Sequence, residues 1–193
     1  MPKPALCLDP GHGDTRGAPN YDPGAIFGER HEAEAALEMA MTCKFVLSDA
    51  WNVFLTRNGL GGGKPSLEGR VQFARNVRAV AFVSIHYDIR GGSSLVYYSP
   101  NAASKALSEE AGRAFGYGQP FERPSSSSRF GRLYIDDFDL TDAPATKPAV
   151  LLEVGPIDQA APAGDAGRDA RLAWAQKLNA ALASLLPATA DAF

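Results

Sequence analysis

Cysteine is scarce in this chain: 193 residues hold two, Cys7 and Cys43. Neither stands in a Cys-x-x-Cys or Cys/His spacing, so a thiolate metal site is not indicated. Both read as small buried hydrophobes, and a disulfide is not needed in a domain of this size. A dominant charge is missing as well. The 19 Lys and Arg against 22 Asp and Glu leave a net charge of −3. That balance provides no basic footprint for nucleic acid or for an anionic membrane. No apolar run is long enough to span a bilayer. No internal repeat and no linker interrupts the chain. Met1-Pro2-Lys3-Pro4 leads into an apolar stretch within a few residues, which leaves no room for a secretory signal peptide. The expectation is synthesis in the cytoplasm, or else an excised catalytic domain. Histidine is limited to three residues, His12, His31 and His86, so any histidine-bearing site draws on a small supply.

What is present is the material of one α/β domain spanning residues 1–193. A chain of this length hides roughly 70% of its unfolded surface on folding. Its 45% hydrophobic content is ordinary for a globular protein. Apolar runs predict strands at Ala5–Leu8, Asn52–Leu55, Ala81–His86, Ser94–Tyr98 and Val150–Glu153. Helical spacing predicts helices near Glu32–Leu47, Ala102–Phe115 and Arg168–Leu186, with Pro187 ending the last. A further helix starts after Pro65, with Ser66 as its N-cap. Leu37, Met41, Leu47, Ala33, Ala40 and Phe45 are the expected apolar side of the first helix, and Leu67, Val71, Ala74 and Val77 that of the second. Leu133-Tyr134-Ile135 reads as a short edge strand or a helical turn, and Ser125–Ser128 as a surface loop. Alternating strands and helices predict a mixed, mostly parallel twisted sheet of five or six strands with helices on both faces. The near-continuous apolar run to Glu153 marks an interior strand.

Four polar side chains fall at the ends of these elements. His12 sits in Asp9-Pro10-Gly11-His12-Gly13 after the first strand, and His86 closes the third. Glu32 opens the first helix, and Glu153 ends the last strand. Open α/β sheets collect ligands at the carboxyl ends of their strands. Two His and one Glu make a catalytic zinc ligand set, with one position left for water. Each residue alone has a plainer reading. His12 could be a hydrogen-bonded loop histidine, and His86 a satisfied core residue. Glu32 could serve the helix dipole, with Glu29 and Glu34 competing for the ligand role. Glu153 on a buried strand needs a partner or a raised pKa, which makes it a general-base candidate. Arg57 and Arg70 read as ties between loops rather than substrate binders. Tyr97, Tyr98, Phe130 and Tyr134 read as core aromatics.

Taken in order, these residues resemble the zinc-dependent N-acetylmuramoyl-L-alanine amidases of the Amidase_3 type. The resemblance rests on Asp9-Pro10-Gly11-His12-Gly13, Asp22-Pro23-Gly24-Ala25, Glu32 with Leu37, and Thr56-Arg57. It continues through Leu67, Arg70 and Ala74, then Phe82 and Ser84-Ile85-His86, and ends with Pro148 through Gly155. It implies that His12, Glu32 and His86 bind zinc and that Glu153 works on the attacking water. It implies bacterial peptidoglycan as the partner and the muramoyl–L-alanine amide as the bond cut.

The chain departs from the family pattern at Tyr87-Asp88, at Arg75 before Asn76, and at Pro156-Ile157-Asp158-Gln159. These changes spare the ligands and the base and bear on the shape of the substrate groove and hence on the preferred stem peptide. The expectation is a monomeric, phage-type endolysin with no nucleic-acid or stable membrane partner. Three other readings stay open: a zinc peptidase or carboxypeptidase acting on stem-peptide bonds, a wall-binding module without catalysis, and an amidohydrolase for a small acylated amino acid.

Overall fold

The computed structural model describes residues 2–13, 16–59, 64–117, 134–138 and 147–185. The serine run, Phe130, Leu133 and Pro187 lie outside the described residues. In chain order the elements are β1 (Ala5–Pro10), β2 (Ile26–Phe27), β3 (Arg30–His31), α1 (Glu32–Leu47), β4 (Asn52–Leu55) and α2 (Leu67–Asn76). There follow β5 (Ala81–Asp88), β6 (Leu95–Tyr98), α3 (Ala102–Phe115), β7 (Ala149–Pro156) and α4 (Arg168–Leu185). Short 3₁₀ turns occupy Tyr134–Asp137, Ile157–Gln159 and Gly164–Gly167.

The expected sheet is there, with five strands in the order β4-β1-β5-β7-β6. β4, β1, β5 and β7 run parallel, and only β6 is antiparallel, against β7. The chain passes from β1 to β4 on one side and then to β5 on the other. That reversal is a topological switch point, and it opens a crevice at the carboxyl end of β1.

Alternation along the strands divides the core between two faces. Leu6, Leu8, Val83, Ile85, Val150 and Leu152 point to one face and pack with Ala36, Met39, Ala40 and Cys43 of α1, Leu107 of α3 and Leu178 of α4. Cys7, Phe82 and Leu151 point to the other, where Val71 and Ala74 of α2 meet Ile135 and Phe138. Helices therefore cover both faces, as expected. Both cysteines are free and buried. Among the described residues no helix is long and apolar enough to cross a membrane.

Local signals account for the element ends. The Ser66 side chain accepts from Gly69 N at 3.0 Å, and Asn101 accepts from Ser104 N at 2.8 Å. Each satisfies a donor that the first helical turn leaves unpaired. Gly116, at φ 70°, ends α3 in the left-handed region.

Several expectations need correction. Met41 and Phe45 are 54% and 72% exposed, so they are not on the buried side of α1. Ala33, Ala40 and Leu47 are buried as expected, and they are joined by Ala35, Ala36, Met39 and Cys43; the alanines let the helix approach the sheet closely. Leu67 is likewise exposed, and Arg70 joins the expected Val71 and Ala74 on the buried side of α2. The β2–β3 hairpin lies in what reads as loop, because two-residue strands carry no period. β5 and β7 continue past His86 and Glu153 to Asp88 and Pro156, so these residues lie within their strands rather than at the ends. The Tyr134 segment is the helical turn of the two alternatives.

Candidate metal centre

The crevice beyond β1 is lined by groups that three elements deliver to one point. His12 stands two residues beyond the end of β1, in a left-handed conformation at φ 56° that is uncommon for a residue with a Cβ. Glu32 is the first residue of α1, and its backbone N–H donates to Ala25 O at 2.9 Å. His86 comes from β5, just before a register shift between His86 and Asp88. Bulges of this kind re-aim side chains next to functional sites.

Ligand-type atoms of His12, Glu32 and His86 all lie within 4.8 Å of one another. Both rings converge on one carboxylate oxygen. His12 Nε2 is 3.1 Å from Glu32 Oε1, and His86 Nδ1 is 2.9 Å from the same atom. Backbone N–H groups hold that carboxylate in place, Tyr87 N on Oε1 at 3.0 Å and Ala25 N on Oε2 at 2.8 Å. Glycine makes the approach feasible. A Cβ on Gly11 would lie 2.3 Å from His86 Cε1, and one on Gly24 would lie 2.5 Å from Glu32 Oε2 and from His12 Cδ2.

Charge in the cluster is balanced by contact. Burial favours the neutral form of Glu32, yet the bonds to His12 and His86 prevail and hold its carboxyl well below the usual range. Burial also works against a charged His12, but Glu32 and Asp22 outweigh it and raise the ring's pKa. Glu153 differs. It pairs with His86 across the β5–β7 ladder, and its Oε2 is buried with no hydrogen-bond partner among the described residues. Burial, reinforced by the negative charges of Glu32 and Asp88 and only partly offset by His86 and His12, pushes its carboxyl up to about 7.

These residues fit a zinc ion. The donor set is two imidazole nitrogens and one carboxylate, the mixture zinc accepts in catalytic sites. His86 Nε2 is buried without a partner among the described residues, a feature ordinary structural histidines avoid. Glu29 and Glu34, the sequence competitors of Glu32, are turned away from the cluster to pair with Arg16 at 3.2 and 2.8 Å.

A second polar cluster underlies the first. Asp9, fully buried, receives Arg70 Nη1 at 2.6 Å and the Thr56 hydroxyl on Oδ1. Its Oδ2 receives Ser84 Oγ at 3.0 Å and the Tyr134 hydroxyl. Arg70 also donates to Pro10 O at 2.8 Å and to His12 O at 2.5 Å. Arg57 donates to Pro10 O, Gly11 O and Ala33 O at 3.0, 2.7 and 2.7 Å. Both arginines thus tie the His12 loop down, as expected, and neither faces the crevice as a free cation. Tyr97 and Tyr134 pack against the second core face and Tyr98 is buried in the first.

Asp22 enters the sequence pattern only within Asp22-Pro23-Gly24-Ala25, with no role of its own. Its Oδ2 stands 3.2 Å from His12 Nδ1 and 2.7 Å from Lys64 Nζ. Burial raises its pKa, but Lys64 and His12 outweigh that and bring it down to about 2. A carboxylate ten residues beyond a candidate ligand histidine was the available signal.

The departures from the family pattern have structural partners. Arg75 donates to Phe138 O at 3.2 Å and to Asp137 O, joining α2 to the turn beside it. Asp158 Oδ1 accepts from Gly91 N at 3.2 Å, and Ile157 is buried.

The family model described as N-acetylmuramoyl-L-alanine amidase, Amidase_3, matches residues 6–184. Among solved structures, the chain resembles the catalytic domain of an N-acetylmuramoyl-L-alanine amidase from Bacillus (Paenibacillus) polymyxa var. colistinus. The two are 27% identical with a TM-score of 0.68, over 95% of this chain and 98% of that one. An N-acetylmuramoyl-L-alanine amidase from Clostridium difficile 630 is 18% identical, with a TM-score of 0.70 over 98% and 99% of the two chains. The apo N-acetylmuramyl-L-alanine amidase of Mycobacterium abscessus is 20% identical, with a TM-score of 0.69 over 96% and 100%. At those identities the last two speak for the fold alone. No curated protein matches the chain.

Proposed function

Since the chain belongs to the Amidase_3 family of N-acetylmuramoyl-L-alanine amidases, we propose that it hydrolyses bacterial peptidoglycan at the amide between the lactyl group of N-acetylmuramic acid and L-alanine of the stem peptide. The observation that carries this reading is the convergence of His12, Glu32 and His86 within 4.8 Å, with Glu153 in register beside His86. The three converging residues would hold zinc. Bound there, zinc supplies Lewis acidity, polarising a carbonyl and making water a competent nucleophile near pH 7. Glu153 takes the proton of the attacking water on its carboxylate and passes it to the departing nitrogen. The C–N bond breaks, a C–O bond forms, and the products are a lactyl carboxylate on an intact glycan and a free amine on L-alanine.

Digestion of purified sacculi, read by mass spectrometry, tests the proposal. The expected products are free stem peptides beginning at L-alanine, with the glycan strands uncut. Shortened peptides still attached to muramic acid would replace it with a peptidase. No release from any wall type with zinc supplied would replace it with a binding module or a small-amide hydrolase.

The role proposed with this activity is that of an endolysin working as a monomeric catalytic domain on the wall. An expressing culture should then lyse only once its inner membrane is permeabilised. Lysis without that step would contradict the role.

A further inference from the structure

The two histidines of the centre are held by different means. His86 belongs to a strand whose backbone is fixed by ladders to β1 and β7, and its ring rests against Gly11. His12 lies in a loop, with its backbone in the left-handed region. Arg70 holds its carbonyl, but a bond to the carbonyl does not set the direction of the ring. That task falls to groups facing the ring nitrogens. Nε2 faces Glu32 Oε1 at 3.1 Å, inside the centre. Nδ1 faces outward, 3.2 Å from Asp22 Oδ2.

Asp22 is itself anchored on all sides. Its backbone forms a two-bond bridge with Gly13, each N–H to carbonyl distance being 3.0 Å. Its Oδ1 accepts from Gly24 N at 3.2 Å. Lys64 Nζ bonds the same oxygen that faces His12, at 2.7 Å. Both members of the Lys64–Asp22 pair are about one-third exposed, with side-chain exposures of 39% and 31%. Such a pair adds little to stability, so its value lies in placing the oxygen.

We propose that Asp22, braced by Lys64, is a positioning residue that orients His12 as a metal ligand. This rests on the zinc-site reading above. A neutral imidazole carries one N–H. A carboxylate at Nδ1 keeps that N–H on the outward nitrogen, so the lone pair of Nε2 points into the centre. It also makes the ring a stronger donor. Outer carboxylates of this kind commonly contribute 10- to 100-fold in metal affinity.

Zinc affinity, measured on chelator-stripped protein by competition with a chromophoric chelator, tests the proposal without reference to turnover. The absorption spectrum of the cobalt(II)-substituted protein reports the ligand field alongside it. Asp22→Ala should weaken zinc binding by about 10- to 100-fold and alter the cobalt spectrum. Asp22→Asn keeps an acceptor oxygen and should lose less. Lys64→Gln, which only frees Asp22 to move, should lose less than Asp22→Ala. Wild-type affinity with an unchanged cobalt spectrum in Asp22→Ala would overturn the proposal and leave the three-ligand centre standing. If Asp22→Ala fails to fold by circular dichroism, Asp22→Asn decides, and affinity equal to wild type overturns the proposal. Absence of zinc binding in the wild type would overturn both the proposal and the centre it rests on.

Discussion

Two clusters of buried polar groups meet at the carboxyl end of β1, and they are completed differently. Around Asp9, carboxylate, guanidinium and hydroxyls answer one another: both Asp9 oxygens take two donors each, from Thr56 and Arg70 and from Ser84 and Tyr134. Arg70 Nε is its one side-chain atom that is buried and unpartnered among the described residues. Around Glu32 the imidazoles share a single carboxylate oxygen, and His86 Nε2 and Glu153 Oε2 are buried with no partner among the described residues. Buried polar groups are normally satisfied, because leaving one unpaired costs about 1–3 kcal/mol. The first cluster follows that rule and holds the backbone of the His12 loop. The second bears that cost in the arrangement proposed to hold zinc and move a proton.

The contrast predicts that substitutions in the second cluster disable turnover, whereas those in the first disable folding. Glu153→Gln should lower wall hydrolysis by about 10²- to 10⁴-fold, the usual contribution of a positioned acid–base group, and should leave zinc binding in place. Release of stem peptides against time measures it, and unchanged turnover would remove Glu153 from the role of base. On the other side, Arg70→Ala leaves the Asp9 carboxylate buried without its cation. It should cost about 3–5 kcal/mol of stability in urea unfolding, the range for breaking a buried pair. A loss under about 1 kcal/mol would show that this cluster does not hold the fold.

How much of this was legible in the chain follows the same divide. The bounds of α1, β4 and α3 were readable because caps and periodicity are local. His12, Glu32 and His86 were legible as candidate ligands because residue type and placement carry that signal, and the fold brings all three to one point. Asp22 was not, because an aspartate in a loop of Gly, Asp and Pro has no period and its partner Lys64 is 42 residues away. The buried side of α1 was misread for a packing reason. Met41 and Phe45 are more hydrophobic than alanine, but Ala35 and Ala36 are what fits against the sheet. Arg70, charged yet 1% exposed, could be placed in a helix but not assigned to Asp9, 61 residues earlier.

A smaller effect sharpens the comparison through pH. In metal-free protein the Glu153 carboxyl is raised from an ordinary 4.5 to about 7. Folding therefore favours its protonated form. That stabilisation is complete below about pH 4.5 and is lost as pH rises through about 7. Metal-free Glu153→Gln should thus be more stable than wild type at pH 8, by on the order of 2 kcal/mol, and equal to it at pH 4. Paired unfolding curves at the two pH values measure it; the same difference at both would contradict the burial argument. Smallest is Tyr134→Phe, which removes one donor from Asp9 while Ser84 stays on the same oxygen. A cost of about 1 kcal/mol, with zinc affinity unchanged, is expected from equilibrium unfolding and metal titration.

The most direct measurement is calorimetric titration of zinc into chelator-stripped wild type, His86→Ala and Glu153→Ala. One ion per chain is expected for the wild type and for Glu153→Ala, with the binding isotherm lost or greatly weakened in His86→Ala. Equal zinc binding by His86→Ala and wild type would contradict that expectation.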